Sequence, residues 1–135
     1  NHNFELVPFS GTNGLDFLYG AMPEDLLKME LDSCWVKYAG LDPVEYLNAH
    51  RGRCPILHLK DFRCDRSEEG FDPVKWPYSA ELLPLGYGCQ DVHSLVECGK
   101  ESGVEWFVVE QDESTERPTL EAARMSIETL KKLGY

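Results

Sequence analysis

Four polar side chains lie at or near the ends of apolar stretches in this sequence, where uncharged residues are more usual. They are Glu5 in 3–8, Asp32 at the end of 26–32, His58 near the end of 55–60, and Glu110 at the end of 104–110. Three carboxylates held close together repel one another unless a cation compensates their charge. Carboxylate oxygens with one imidazole nitrogen suit Mn²⁺, Mg²⁺ or Co²⁺, with Zn²⁺ as a further candidate. The four residues predict a divalent metal site, and the alternative is that each caps a helix or lies in solvent.

The elements that must position these residues alternate along the chain as strand and helix. The four apolar stretches predict strands, and cap and stop signals predict the helices between them. These signals are Asp42-Pro43 with Glu45 as a capping box, Asp91 at the start and Gly103 at the end of a second helix, Pro118 before a third that ends at Gly134, and a short helix over 12–20. Alternating β and α elements predict a parallel sheet, and the carboxyl ends of its strands face one common rim.

Two predictions concern packing. In the helix after Pro118, apolar residues recur at helical spacing and predict the face that docks on the sheet. They are Leu120, Ala123, Ile127 and Leu130. Trp106 lies within a predicted strand, and we expect it to pack against a helix.

The composition narrows the class of protein. The chain has 135 residues, 42% of them hydrophobic, and a formal net charge of −11. Nucleic acids and anionic membranes bind clustered lysine and arginine, so this charge argues against both as partners. No apolar run is long enough to span a membrane. We expect a single domain over 1–135, and we interpret the five cysteines, which form no CxxC pair, as thiols of a cytoplasmic protein.

Five segments carry a resemblance to a known family. They are "NHNFE", "LDSCW", "AGLDPVEYLNAHRGRCPILHLKD", "LGYGCQDV" and "GVEWFVVEQD". Taken in this order they resemble the C-terminal half of the sugar phosphate isomerase/epimerase family, the xylose-isomerase-like (β/α)₈ barrels. The resemblance implies an α/β fold, four parallel β/α units equivalent to strands five to eight of a TIM barrel. It also implies a partner that completes the barrel, either the missing N-terminal half or a second copy in a homodimer.

The resemblance also implies roles for the four polar residues. In that family Glu, Asp, His and Glu at the ends of strands five to eight hold the metal, and Glu5, Asp32, His58 and Glu110 match them. The implied activity is isomerisation or epimerisation of a sugar or sugar phosphate at a carbon next to a carbonyl. Glu5 and Glu110 would move the protons, while Asp32 and His58 would only bind the metal, whose charge stabilises an enediolate.

Substrate contacts are implied at further positions. The epimerases of this family carry a His after the strand-six Asp and an Arg after the strand-seven His. Here Trp35 takes the first place, and either Arg63 or Arg66 takes the second. Lys60 and His2 are also predicted to contact substrate. The alternative for Lys60 is a solvated lysine at a strand end, and the alternatives for His2 are a residue that supports a substrate contact from behind or a disordered terminus.

The long irregular stretch 61–90 exceeds the length of a passive connector and predicts a lid over the barrel mouth, with a surface elaboration or a subunit contact as alternatives.

Two other functions stay open. One is a vestigial, non-catalytic sugar-binding half-barrel. The other is a metal-dependent nuclease of the type IV AP endonuclease kind, which needs three metals and a basic DNA-binding face.

Overall fold

A computed structural model describes residues 1–63 and 80–135 of the chain. Short strands and helices follow one another along these residues. They are a 3₁₀ helix at Asn3–Leu6, β1 Pro8–Phe9, β2 Thr12–Asn13, α1 Gly14–Ala21, β3 Glu30–Asp32, α2 Ser33–Tyr38, α3 Pro43–Ala49, β4 Ile56–Leu59, β5 Asp61–Phe62, β6 Leu82–Leu83, α4 Val92–Ser102, β7 Trp106–Val109 and α5 Thr119–Lys132.

The centre of the fold is a parallel sheet with the strand order β3-β4-β7. Its register sets Asp32 opposite His58, and Leu59 opposite Val109. The result is a mixed α/β fold, and it confirms the strands predicted within 26–32, 55–60 and 104–110.

The two faces of this sheet differ in burial because side chains alternate along a strand. On one face, leucines of β3 and β4 are fully buried and form the hydrophobic core with the helices; they are Leu31, Leu57 and Leu59. Phe107 and Val109 pack partly buried against the same core. The other face, called the open face below, carries Glu30, Asp32, Ile56, His58, Trp106 and Val108.

The prediction of a strand over 3–8 is wrong. Asn3–Leu6 is a 3₁₀ helix, because the Glu5 carboxylate accepts a hydrogen bond from the His2 N–H at 2.6 Å and closes the turn. At the edge of β3, the Asn1 side-chain oxygen accepts the Asp32 N–H at 2.9 Å, where a neighbouring strand would otherwise pair. The described part of the chain therefore contains three parallel strands in this sheet rather than four.

The aspartate caps predicted for α3 and α4 are confirmed. Asp42 accepts hydrogen bonds from the N–H groups of Val44 and Glu45 at 2.8 and 3.0 Å. Asp91 caps α4 in the same way, and Gly103 ends α4 with the left-handed φ of 87° that glycine tolerates. Helix α1 begins inside the predicted 12–20 region and ends one residue beyond it.

The packing prediction for Trp106 is wrong, and that for α5 is confirmed only at Leu130, which packs partly buried against the core. Ala122 and Ser126 are the buried residues of α5, whereas Leu120 is 85% exposed and Ile127 is 44% exposed. Trp106 is 68% exposed because it lies on the open face of β7, at the edge of the described sheet.

The described part of the stretch 61–90 contains a small antiparallel pair, in which β5 at its start pairs with β6. Residues 64–79 lie outside the described part, and they include Arg66 and the middle of the predicted lid. Cys89 is disulfide-bonded, so the expectation that all five cysteines are thiols is wrong at this position, since distant cysteines can pair without a CxxC motif. Cys34, Cys54 and Cys98 are free and buried.

Within 1–63 and 80–135, no helix has the length and apolar character needed to cross a membrane.

Candidate active site

A cleft of about 240 Å³ opens where the three parallel strands end. It lies on the open face of the sheet, at the carboxyl ends of the strands, where parallel α/β proteins place their ligand sites. Its lining residues are Asn1, His2, Glu30, Asp32, Trp35, His58, Lys60, Glu110 and Asp112.

Three of the four predicted metal ligands meet in this cleft. The register of β3 and β4 sets Asp32 beside His58, and the Glu110 N–H donates to the Leu59 carbonyl at 3.1 Å, which continues the pairing beyond β7. The Glu110 carboxylate lies 2.9 Å from Nδ1 of His58, and the Asp32 carboxylate lies 4.0 Å from the same nitrogen. Asp32, His58 and Glu110 each offer a ligand atom, and the three atoms lie within 4.8 Å of one another.

Glu30 is a cleft residue that the sequence analysis missed. Its Oε1 atom lies 2.7 Å from Nε2 of His58, on the side of the ring opposite Glu110. Glu30 precedes Asp32 by two residues, and this period-two spacing puts both on one face of β3. The same spacing could have identified it. Asp112 was missed as well, because it follows β7 in an irregular segment.

Lys60 is buried in the cleft with 2% exposure. Its Nζ atom contacts the carboxylates of Asp32 at 2.9 Å, Glu110 at 2.7 Å and Asp112 at 3.0 Å. Burial alone would lower the pKa of Lys60, but these carboxylates, with Asp32 first, outweigh it and raise that pKa above its usual value. Lys60 is therefore a permanent cation at neutral pH rather than a nucleophilic amine.

Asp32 belongs both to the cleft and to helix α2. Its Oδ1 atom accepts the N–H groups of Cys34 at 2.9 Å and Trp35 at 3.3 Å, so it caps α2, while Oδ2 faces Lys60. Burial raises the pKa of Asp32, and the ammonium of Lys60 offsets only part of this effect. Sequence analysis did not predict α2, although an Asp before Ser-Cys-Trp is a recognisable N-cap signal.

The pKa of Glu110 is shifted in the opposite direction from that of Asp32. Burial acts to raise the pKa of Glu110, but hydrogen bonds from Lys60 and His58 outweigh it and hold that pKa below its usual range. Glu110 is consequently ionised at neutral pH and available as a ligand or a base.

The charge of the cleft fits a divalent cation. Four carboxylates line it, and Lys60 is the only lysine or arginine among the described lining residues. These carboxylates are Glu30, Asp32, Glu110 and Asp112. One ammonium leaves most of this negative charge uncompensated, and the oxygen and imidazole donors are those that Mn²⁺, Mg²⁺, Co²⁺ and Zn²⁺ accept.

Four predicted residues remain to be placed. His2 and Trp35 line the cleft, with their ring centroids 5.8 Å apart, and Nζ of Lys60 lies 5.2 Å from the Trp35 ring centroid. The structure does not bring Glu5 into the cleft lining, since its carboxylate bonds to the His2 backbone. Arg63 lies outside the lining as well and pairs with Glu81 and Glu116. The assigned roles of Glu5 and Arg63 stay predictions.

A parallel sheet with an acidic, histidine-containing cleft at its strand ends defines an α/β protein with an enzyme-like site. Its fold matches crystal structures of sugar phosphate isomerase/epimerase proteins from Parabacteroides distasonis ATCC 8503. Two such structures give TM-scores of 0.72 and 0.73 at 20% sequence identity, over 98% and 97% of this chain and 44% and 43% of theirs. The resemblance found in the sequence motifs is thereby confirmed at the level of the fold.

A sequence relative extends the comparison. Inosose dehydratase of Clostridium beijerinckii is 28% identical over 111 residues, which cover 76% of this chain and 36% of that protein. No family model matches the chain. The chain thus spans less than half the length of each of these relatives.

Proposed function

We propose that this chain supplies the metal-binding and proton-transfer part of a divalent-metal-dependent sugar or sugar phosphate isomerase or epimerase. The observation that carries the proposal is the convergence of Asp32, His58 and Glu110, with ligand atoms within 4.8 Å, in an acidic cleft at the strand ends. The shared fold of the sugar phosphate isomerase/epimerase structures supports it. Because those chains are more than twice as long, activity belongs to a complete barrel.

Asp32, His58 and Glu110 would hold Mn²⁺, Mg²⁺ or Co²⁺, or alternatively Zn²⁺. When bound, such a cation supplies positive charge that stabilises an enediolate oxygen. Glu110, kept ionised by Lys60 and His58, accepts the proton from the carbon next to the carbonyl. Trp35 lines the cleft but is only 2% exposed, so a sugar would meet little more than the edge of its ring. His2 beside it can donate to a hydroxyl.

Glu5 is retained as the proposed second proton-transfer group. Its carboxylate would have to leave the His2 N–H, which it holds at 2.6 Å, before it could reach the cleft. Lys60 fixes the orientation of Glu110 through a 2.7 Å contact and supplies charge of the sign that a developing oxyanion requires.

Metal binding tests the site directly. We expect about one Mn²⁺ per chain in the unaltered protein, measured by the loss of the free Mn²⁺ signal in electron paramagnetic resonance. Substituting His58→Ala should weaken binding at least tenfold because it removes the nitrogen ligand. The matched control is His93→Ala, which removes a histidine on α4 away from the cleft. Equal binding by the two variants would eliminate the site, no uptake would favour a vestigial module, and three ions would favour the nuclease.

The reaction is tested by isotope exchange in the complete barrel. Proton transfer through Glu110 should place deuterium from D₂O at the carbon next to the carbonyl, detected by NMR of a recovered ketose or inosose. Turnover to product with no deuterium at that carbon would contradict proton abstraction and favour direct hydride transfer.

A further inference from the structure

We propose that Glu30 is a positioning residue that fixes the ring tautomer and orientation of His58, so that Nδ1 is the nitrogen presented to a bound cation. This inference rests on the metal site proposed above and adds to it a residue outside the ligand set. Asp32, His58 and Glu110 form the convergent group, and Glu30 contacts the far side of the imidazole ring.

The two nitrogens of His58 have different neighbours. Nδ1 faces Glu110 at 2.9 Å and Asp32 at 4.0 Å, which are the oxygen donors of the proposed site. Nε2 faces only Glu30 among the described contacts, at 2.7 Å. The ring therefore has a ligand side and an outer side, and a carboxylate is placed against each.

Backbone pairing sets this arrangement. In the parallel register of β3 and β4, Asp32 is opposite His58, and Glu30 is opposite Ile56 two residues earlier. Glu30 is thus the diagonal neighbour of His58 on the same face, and a glutamate side chain can span the distance between such neighbours. Since β4 is the middle strand, the imidazole is held between Glu30 from one neighbouring strand and Glu110 from the end of the other.

A carboxylate at Nε2 stabilises the tautomer in which Nδ1 is free to bind a cation. Neutral imidazole carries one N–H and one lone pair, and a carboxylate accepts the N–H but repels the lone pair. Without a cation, a carboxylate faces each nitrogen, because Glu110 lies 2.9 Å from Nδ1. When a cation takes the lone pair of Nδ1, the remaining proton is on Nε2, where Glu30 accepts it at 2.7 Å. Carboxylates that accept the second N–H of a metal-binding histidine typically change metal affinity 10- to 100-fold.

The experiment compares Zn²⁺ affinity, by isothermal titration calorimetry, with the ¹⁵N spectrum of the His58 ring. Zn²⁺ is the probe because it is diamagnetic, and His58→Ala identifies the His58 signals. Glu30→Ala removes the acceptor, and Glu30→Gln retains an acceptor oxygen without the charge. Asp112→Asn is the charge control, because it removes one cleft carboxylate that bonds to Lys60. The side chain of Glu30 is 58% exposed, so its variants should fold, which circular dichroism checks.

We expect Glu30→Ala to weaken Zn²⁺ binding at least tenfold and Glu30→Gln to restore part of the loss. Asp112→Asn should weaken binding less than Glu30→Ala. In mildly alkaline buffer without metal, Glu30→Ala should shift the tautomer population from Nε2–H towards Nδ1–H, because Glu110 at Nδ1 then loses the competing carboxylate at Nε2. With Zn²⁺, the ligated nitrogen should be Nδ1.

Two results would overturn the role of Glu30. One is a Zn²⁺ complex ligated through Nε2, and the other is a tautomer ratio that is identical in the unaltered chain and Glu30→Ala. If the unaltered chain takes up no Zn²⁺ or Mn²⁺, the proposed function fails instead. The metal-free spectra then still decide whether Glu30 sets the tautomer, so the two failures are distinguishable.

Discussion

At the scale of single residues, Lys60 links the ends of the three parallel strands. It follows β4, the middle strand, and bonds to Asp32 on one side and to Glu110 and Asp112 on the other. Asp32 has a 6% exposed side chain, so water screens its charge poorly, whereas Glu110 and Asp112 are 37% and 48% exposed. The ammonium therefore matters chiefly to Asp32.

We predict that Lys60→Met lowers the free energy of unfolding by about 3 kcal/mol, because it leaves the Asp32 carboxylate buried without its cation. Urea denaturation measures the change. The matched control is Lys60→Met combined with Asp32→Asn, in which an uncharged side chain can still cap α2, and it should recover a large part of the loss. A single variant as stable as the unaltered chain would show that Asp32 is compensated by other groups.

The sequence allowed some residues of the cleft to be predicted and not others. Asp32, His58 and Glu110 were found because a charged residue ending an apolar strand is unusual. Glu30 was missed because it also looks like an ordinary polar residue at a strand start. Its contact with His58 depends on which strands are neighbours, and composition does not contain that information. Glu5 matched a motif, but a local hydrogen bond to His2 turned its backbone away from a strand.

At the scale of elements, local chemistry was the better guide. The caps at Asp42 and Asp91 were predicted because a side chain and the amides it satisfies lie within three residues. The docking face of α5 was mispredicted except at Leu130, because the fully buried residues of the helix are the small Ala122 and Ser126 rather than its apolar stripe. Ser126 accepts the Leu85 N–H at 3.1 Å, and this close approach requires small side chains. Periodicity identifies an apolar stripe without showing what covers it.

The segment after β6 is held by one buried carboxylate. Asp61 is fully buried and accepts N–H groups at 2.9–3.0 Å from four residues. They are Phe62, Gly86, Gly88 and Gln90. This segment lies beside Lys60, whose carbonyl accepts a hydrogen bond from the Gln90 side chain at 3.2 Å. Asp61 thus organises the support beneath one side of the cleft.

We predict that Gly88→Ala lowers the free energy of unfolding by about 2–3 kcal/mol. An added Cβ would overlap the Asp61 carboxylate and the Phe62 carbonyl oxygen, neither of which can move without breaking hydrogen bonds. The control is Gly20→Ala in α1, where an added Cβ meets nothing within 4 Å. This replacement should stabilise the helix by up to about 1 kcal/mol, because alanine has the higher helix propensity. Thermal unfolding followed by circular dichroism measures both, and equal effects would contradict the role of Gly88.

At the scale of the whole molecule, the described sheet ends in two strand edges, β3 and β7, and the described residues include exposed apolar side chains. They are Trp106 on β7, Leu120 on α5, and Phe9, Phe17 and Leu26 in the N-terminal segment. Edges and apolar surface of this kind favour association. The half-barrel with an incomplete inner face stays a prediction, and Trp106 and Val108 are exposed on the open face of the described sheet.

We predict that the purified 15.4 kDa chain associates with a second copy at micromolar concentration, because burial of these side chains removes apolar surface from water. Sedimentation velocity measures the molecular mass. Trp106→Glu should shift the equilibrium towards monomer, whereas Lys132→Glu, a charge change at the exposed end of α5, should not. A stable monomer with cooperative unfolding would contradict association and leave an N-terminal half-barrel as the proposed partner.

The shared carboxylate of Asp32 restricts which amino acids can occupy this position. One of its oxygens caps α2, and the other faces Lys60 in the cleft. Asparagine could satisfy the helix amides but would leave the ammonium with one anion fewer. Glutamate would keep the charge, yet its additional methylene would displace the oxygen that the amides require. Because neither replacement meets both demands, change at position 32 requires compensating change elsewhere, and we expect natural variation to be narrower there than at Glu30.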